Sequence, residues 1–475
     1  MQDNSSCLDS GGQHLVGDGT PTLKRHLRAR HIRLMALGST IGVGLFLGSA
    51  TAIQLAGPSI LLGYLIAGII AFIVLRALGE MAVFNPVAGS FAHYANEYVG
   101  SLAGYLVGWG YWTYWVVVGI AEVTAVGIYM GMWFPDMPQW IWALSSLALM
   151  GGINFIAVRL FGEFEFWFAL IKIVAIICMI LMGISVIFFG FTNGGIALGM
   201  SNLWANGGFF PNGLTGFLFS LQMVVFAYVG VEMIGLSAGE AEEPKKTIPM
   251  AIDSLAWRIL IFYGGALFVI LSIFPWNEVG NQGSPFVAMF ERIGLKEAAG
   301  IINFVVITAA LSSCNAGIFS GGRLLYGLSL NGYAPSSLSK LSSTGVPSKA
   351  VITTVVVPML GVLLNYFVPE KAFQWATAAV TLIGLFVWVS ILVTQLKFRK
   401  SLSQEQINSL GYKSLWWPYA SWIALIFIGV VVLLMAFNAQ TRIALFVGPP
   451  IILILVLLYF ICGLHRRQTN LGEKK

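Results

Sequence analysis

The sequence predicts an all-α polytopic membrane protein with about twelve transmembrane helices, and three observations predict it. Of its 475 residues, 57% are hydrophobic and only 10% charged, against roughly 25% charged in an ordinary soluble domain. Apolar runs of the ~20 residues that cross a bilayer recur from residue 32 to residue 465 with short polar gaps. The basic residues, finally, alternate with those runs. From a cytoplasmic N-terminus, Lys24, Arg25, Arg28, Arg30, Arg33, Arg76, Arg159, Lys245, Lys246, Lys397, Arg399, Lys400, Arg466 and Arg467 share one side. Arg292, Lys296, Lys371 and Arg442 fall on the other, as the positive-inside rule requires. The net charge of +6 therefore encodes orientation and not nucleic-acid binding.

The predicted spans are 32–53, 57–80, 99–130, 138–159, 163–190, 212–238, 252–275, 299–327, 349–367, 372–396, 417–437 and 442–464. Helices are the spanning element, because the runs are too long and too evenly apolar for barrel strands. Residues 1–31 read as a polar, basic, disordered tail. No signal peptide is expected, since the basic cluster leads into a full-length span. Cys7, Cys178, Cys314 and Cys462 are isolated, without a CxxC pair, so neither a disulfide framework nor a zinc site is expected.

The first span carries the stretch GSTIGVG at 38–44, with Gly38, Gly42 and Gly44 at its middle. The sixth carries FAYVGVEMIGLSAGE at 226–240, broken by Gly230, Gly235 and Gly239. Two Gly-broken spans five apart predict a repeat, inverted because each unit holds an odd number of spans; secondary transporters use this plan, with binding sites on discontinuous helices. The expected organisation is 32–196 for the first five-helix repeat, 197–400 for the second, and 401–475 for helices eleven and twelve plus a basic tail. An unwound segment at mid-membrane depth leaves backbone N–H and C=O groups that a ligand must satisfy. A zwitterion suits such a break, its carboxylate at a helix N-terminus and its ammonium on freed carbonyls. The competing reading is close helix packing of small residues.

The stretches HIRLMALGSTIGVGLFLGSA (31–50), LRALGEMAVFNPVAGSFAHYA (75–95), AEVTAVGIYM (121–130), FGEFEFWFALIKI (161–173), GEAEEPKKTIP (239–249) and SSCNAGIFSGGRLLYGL (312–328) resemble the amino acid transporter branch of the amino acid–polyamine–organocation permeases. The resemblance spans about residues 22 to 465. It implies the five-plus-five inverted-repeat fold, a bacterial inner-membrane location and proton-driven uptake of an amino acid. It places the substrate carboxylate at Thr40, Ile41, Gly42, Val43 and Gly44. It places the substrate amine at carbonyls of Thr40, Phe226, Ala227 and Val229, with Phe226 as an aromatic lid.

Ionisable residues inside spans are functional candidates by default, because their burial is costly. Lys172 lies nine residues past Glu163, near mid-depth at about 1.5 Å per residue, where gain and loss of a proton becomes accessible. The resemblance implies that its ammonium stands where sodium-coupled relatives bind their ion, between the first and eighth helices, which makes it the candidate proton-coupling group. A permanently charged structural lysine is the alternative. Glu122, deep in the third span, reads either as a protonatable carboxyl or as a structural hydrogen-bond partner. Glu232 reads either as a cap for the sixth-helix break or as a gate. Ser313 is a candidate neighbour of Lys172 or of substrate. Glu163 and Glu165 are expected at the start of the fifth span, offsetting the helix dipole. Glu240, Glu242, Glu243, Lys245 and Lys246 read as a solvated loop, and Arg323 as an anchor ending the eighth span.

An enzyme is disfavoured: His14, His26, His31, His93 and His465 all avoid the span interiors, and no HExxH, P-loop or GxSxG occurs. No cofactor is therefore expected. A channel would need a continuous polar lining, which is lacking. An amino acid exchanger without net proton movement shares the predicted fold. The resemblance favours a neutral substrate of the proline or threonine type, with histidine next.

Overall fold

The computed structural model describes residues 41–465 apart from 88, 157, 192–193, 237–242, 280–283, 293–295, 343–344 and 440. Thr40, Gly38, Glu240, Glu242, Arg466, Arg467 and the tail 1–31 therefore lie outside the described residues. Among those described, every regular element is helical. Among the described residues, nine helices are long and apolar enough to cross a membrane, one of them the continuous stretch Gly48–Phe84. The protein is an all-α polytopic membrane protein.

The chain enters as a short helix α1 (Val43–Phe46) and continues as α2 (Gly48–Ala56). A single 3₁₀ turn leads into α3 (Ile60–Phe84). A short surface helix α4 (Ser90–Tyr98), unexpected from the apolar pattern, precedes α5 (Ser101–Met130), α6 (Gln139–Ile156) and α7 (Val158–Phe189). The sixth predicted span is split into α8 (Gly213–Phe226) and α9 (Met233–Leu236), with the non-helical turns 227–232 between them. The seventh comprises α10 (Pro244–Arg258), a π-helical stretch Ile259–Gly265 and α11 (Ala266–Ile273). A short α12 (Pro285–Arg292) leads to α13 (Lys296–Leu330). The ninth span is cut at Val357 and Pro358 into α14 (Ser348–Val356) and α15 (Met359–Phe367), since a proline cannot donate the next helical hydrogen bond. Then follow α16 (Pro369–Ser401), α17 (Tyr419–Phe437) and α18 (Arg442–Ile461).

The centre of the fold is the packing of α13 along α5. It rests on small residues that let bulky neighbours approach: Gly317 lies under the Trp115 ring, and Gly321 under Thr354, whose hydroxyl also accepts from Trp112 Nε1 at 3.1 Å. The outer faces of α17 and α18 are apolar and exposed, as at Ile426, Leu433, Phe446 and Ile461, which is the surface a lipid-facing helix needs.

One end of the molecule is held by charge. Glu80, fully buried on α3, receives Arg399 of α16 through Nε at 2.6 Å and a second guanidinium nitrogen at 3.0 Å. Gln395 and the backbone N–H of Ser414 also donate to this carboxylate. Beside it, Arg76 pairs with Asp253 at 3.1 Å, donates to the Lys413 carbonyl and lies 3.9 Å from the Tyr412 ring centroid. The segment around 412–414 thus straps α3, α10 and α16 together. Arg399, counted among the orientation charges, is also a buried ion-pair partner. Arg399→Met removes one member and leaves the other buried, a loss of about 3–5 kcal/mol. Thermal unfolding of the detergent-purified protein should show a clear drop in midpoint, whereas Lys400→Met should leave it unchanged.

Candidate functional site

The site forms where the two interrupted helices meet. Ile41 and Gly42 lie outside the helix, Gly42 extended at φ −128°, and α1 begins at Val43. The Gly42 carbonyl accepts from Leu45 and Phe46. Among the described residues, no acceptor meets the N–H groups of Val43 and Gly44. The first helix touches the second break at Gly44: a Cβ there would lie 2.7 Å from Ala227 Cα. A side chain cannot swing away from a backbone atom, so glycine is required for this approach.

At the second break Gly230 sits at φ +106°, a conformation that L side chains rarely adopt. Its N–H donates to both carboxylate oxygens of Glu232, at 3.1 and 3.0 Å, and Trp388 Nε1 of α16 donates to the same carboxylate at 2.9 Å. Glu232 therefore serves the unwound backbone. The Ala227 carbonyl accepts from Tyr263 Oη at 2.9 Å, and Tyr263 lies in the π-helical stretch of the seventh span. The Ala227 carbonyl, expected to face the substrate amine, carries this buried tyrosine on one of its two lone pairs. Nothing among the described residues donates to the carbonyls of Phe226 and Val229. The buried Phe226 ring meets Phe373 of α16 edge-on, with centroids 6.4 Å apart.

Between the breaks is a cavity of about 40 Å³, lined among others by Gly42, Gly44, Tyr114, Glu122, Phe226 and Ser313. It has room for one or two waters at about 30 Å³ each. The Ser313 hydroxyl and Glu122 Oε1 lie over Gly42, 3.0 and 3.4 Å from where its Cβ would be. Glu122 Oε2 is buried and meets no hydrogen-bond donor among the described residues.

Lys172, fully buried on α7, reaches behind this cavity. Its Nζ donates to the Ile41 carbonyl at 3.2 Å and to Ser312 Oγ at 3.1 Å. The lysine neighbour on the eighth span is thus Ser312, whereas Ser313, one residue on and about 100° around the helix, faces Gly42 and Glu122. Ser312 Oγ donates to Glu165 Oε2 at 2.8 Å, and Asn315 Nδ2 donates to Glu165 Oε1 at 3.1 Å. Asn315 in turn accepts from Asn154 Nδ2 at 2.7 Å.

Glu165 corrects an expectation. α7 begins at Val158 rather than 163, so Glu165 lies two turns inside the helix and is 3% exposed. It is no dipole-capping surface carboxylate. Its spacing from Lys172, seven residues, is two helical turns and puts both on one face, a signal present in the sequence. Ser312, Asn154, Tyr263 and Trp388 carried no such signal, because helix packing alone brings them to the site. Glu243 and Lys246 do form the expected exposed pair, at 3.1 Å. Arg323 does not end its helix: its guanidinium lies 3.1 Å from the Phe319 ring centroid and lines, with His93 and Asn96, a cavity of about 190 Å³.

Interrupted membrane helices around a small cavity that holds two carboxylates, with a buried lysine behind it, are an arrangement found in membrane carriers. The chain matches the amino acid permease family over residues 31–471, and it belongs to that family. It is 57% identical over 453 residues to the uncharacterized amino acid permease YtnA of Bacillus subtilis (strain 168), covering 95% of this chain and 98% of the relative. It is 49% identical over 454 residues to the probable threonine/serine transporter YbxG of the same organism, with the same coverage. Over 452 residues it is 44% identical to the amino-acid permease AapA, covering 95% and 96%. The family and these relatives are permeases and transporters, not enzymes.

Gly44→Val forces a side chain against the Ala227 backbone, an overpacking of about 1–3 kcal/mol placed at the contact between the two breaks. The variant should lose the thermal shift that transported amino acids induce in the purified protein, while remaining folded and monodisperse in detergent.

Proposed function

We propose that this protein is a secondary active transporter that takes up a neutral amino acid together with a proton by alternating access. The observation that carries this reading is the Lys172 ammonium, which joins the carbonyl of Ile41 at the first break to Ser312 of α13. A charge that bridges a broken helix to its neighbour changes their contact when it loses its proton, and this couples proton movement to rearrangement. The substrate carboxylate binds the N–H groups of Val43 and Gly44 beside Ile41 and Gly42, and the ammonium binds the carbonyls of Phe226 and Val229. Thr40, which the resemblance adds to this set, lies outside the described residues. Glu122 is the second protonatable group, set over Gly42 beside Ser313. Glu232 holds the break instead of carrying the proton, because two donors, the Gly230 N–H and Trp388 Nε1, already hold its oxygens.

A cavity of about 40 Å³ is too small for an amino acid, so loading requires α1 and α8 to part. The bounded units are the two inverted repeats at 32–196 and 197–400, with 401–475 outside both. The resemblance implies the bacterial inner membrane, and the distribution of basic residues favours both termini on the cytoplasmic side. The favoured substrates are threonine, serine and proline, with histidine next. The likeness to a probable threonine/serine transporter supports the hydroxyl-bearing pair.

Uptake of a panel of radiolabelled amino acids into proteoliposomes tests this reading. Accumulation of threonine or serine is expected with an imposed inward proton gradient and not with sodium. Lys172→Ala should cut that accumulation by about tenfold or more while retaining exchange of labelled for unlabelled substrate at symmetrical pH. Uptake that requires unlabelled amino acid inside and ignores the proton gradient would identify an exchanger and overturn the coupling role.

A further inference from the structure

The fold holds a second buried carboxylate that the transport cycle described above does not use. Glu165 is 3% exposed, shares a helix face with Lys172, and borders the same cavity as Gly42 and Glu122. One hydroxyl joins it to the lysine: Ser312 Oγ accepts from Lys172 Nζ at 3.1 Å and donates to Glu165 Oε2 at 2.8 Å. The other carboxylate oxygen accepts from Asn315, whose amide orientation is set by Asn154 Nδ2 on its oxygen. Oε2 is thus held on the hydroxyl.

We propose that Glu165 is the proton acceptor of Lys172, through Ser312, on the route by which the coupled proton leaves toward the cytoplasm. The inference rests on the coupling role proposed for Lys172 and adds the group that relieves it of its proton. The transfer balances without any co-reactant. An N–H bond of the Lys172 ammonium breaks as its proton bonds to Ser312 Oγ. The former Ser312 proton leaves for Glu165 Oε2. A neutral amine, an unchanged hydroxyl and a carboxylic acid result, and no electron is transferred.

Direction follows from position. Glu165 precedes Lys172 by seven residues, about 10 Å along the helix, toward the end at which α7 begins. The proposed orientation makes that end cytoplasmic. Glu122, the other carboxylate that interacts with Lys172, lies instead over Gly42 beside Ser313, on the substrate side of the lysine. Glu122 and Glu165 are the two carboxylates among the described residues that line the cavity. The pair therefore divides the work: one faces the substrate, the other the exit.

The test uses full-length protein in proteoliposomes with three readings: proton-driven accumulation, exchange at symmetrical pH, and substrate-dependent proton entry reported by an internal pH dye. Glu165→Gln keeps the shape and an acceptor for Ser312 but holds no extra proton. It should lower accumulation and proton entry by about tenfold or more and leave exchange within about twofold of the unmodified protein. Ser312→Ala should do the same, and Ser312→Thr, which keeps the hydroxyl, should restore at least about half of the proton entry. Full proton entry in Glu165→Gln overturns the relay. If that variant does not fold, equal proton entry in Ser312→Ala and Ser312→Thr overturns it instead. Lys172→Ala in parallel separates the two levels. Should it keep proton-driven accumulation, the coupling reading itself falls; should it alone uncouple, only the role of Glu165 falls.

Discussion

The interaction on which the site depends is the burial of one ammonium group. A charged lysine with no solvent exposure is sustained only where hydrogen-bond acceptors and opposite charge surround it. Each requirement recruits another element. The Ile41 carbonyl is available because the first helix is not helical there. Ser312 is in reach because α13 packs against α7. Glu165 supplies the opposite charge from the lysine's own helix, and Asn315 and Asn154 satisfy the oxygen that Ser312 leaves open. The helix break, the packing of α13 and the polar chain to α6 are linked through this one group.

The two breaks differ in what they leave open, and that difference shapes the site. Unpaired backbone groups in a membrane interior cost several kcal/mol each, so the protein satisfies those it does not need. Glu232 and Trp388 fasten the Gly230 turn, and Tyr263 covers the Ala227 carbonyl. What remains are N–H groups at the start of α1 and carbonyls at the end of α8, donors on one side of a small cavity and acceptors on the other. This is the polarity a zwitterion presents.

Rigidity is concentrated away from this site. The bidentate pair of Glu80 and Arg399 and the adjoining Arg76, Asp253 and Tyr412 group tie α3, α10 and α16 to the segment around 412–414. Charges buried among hydrogen-bond partners break only at a large cost. Around the breaks, by contrast, the backbone leaves the helical form at Gly42 and over 227–232, turns that can rearrange without unfolding a long helix.

Much of this was legible from residue order. Composition and run length determined an all-helical membrane protein, because the bilayer imposes a span length and forbids unpaired backbone. Glycines at 42 and 230 marked the breaks and Gly44 the close approach between them, and Lys172 marked itself as a charge at mid-depth. The Glu165 spacing was equally readable but was outweighed by a misplaced helix start, for apolarity locates the middle of a helix better than its ends. The choice of Ser312 over Ser313, the capping of Ala227 by Tyr263 and the pairing of Glu80 with Arg399 belong to tertiary structure alone. Each joins residues dozens to hundreds of positions apart, and its geometry depends on the rotation of one helix against another. Period and composition constrain which face of a helix is apolar, but not which atom of a neighbour meets it.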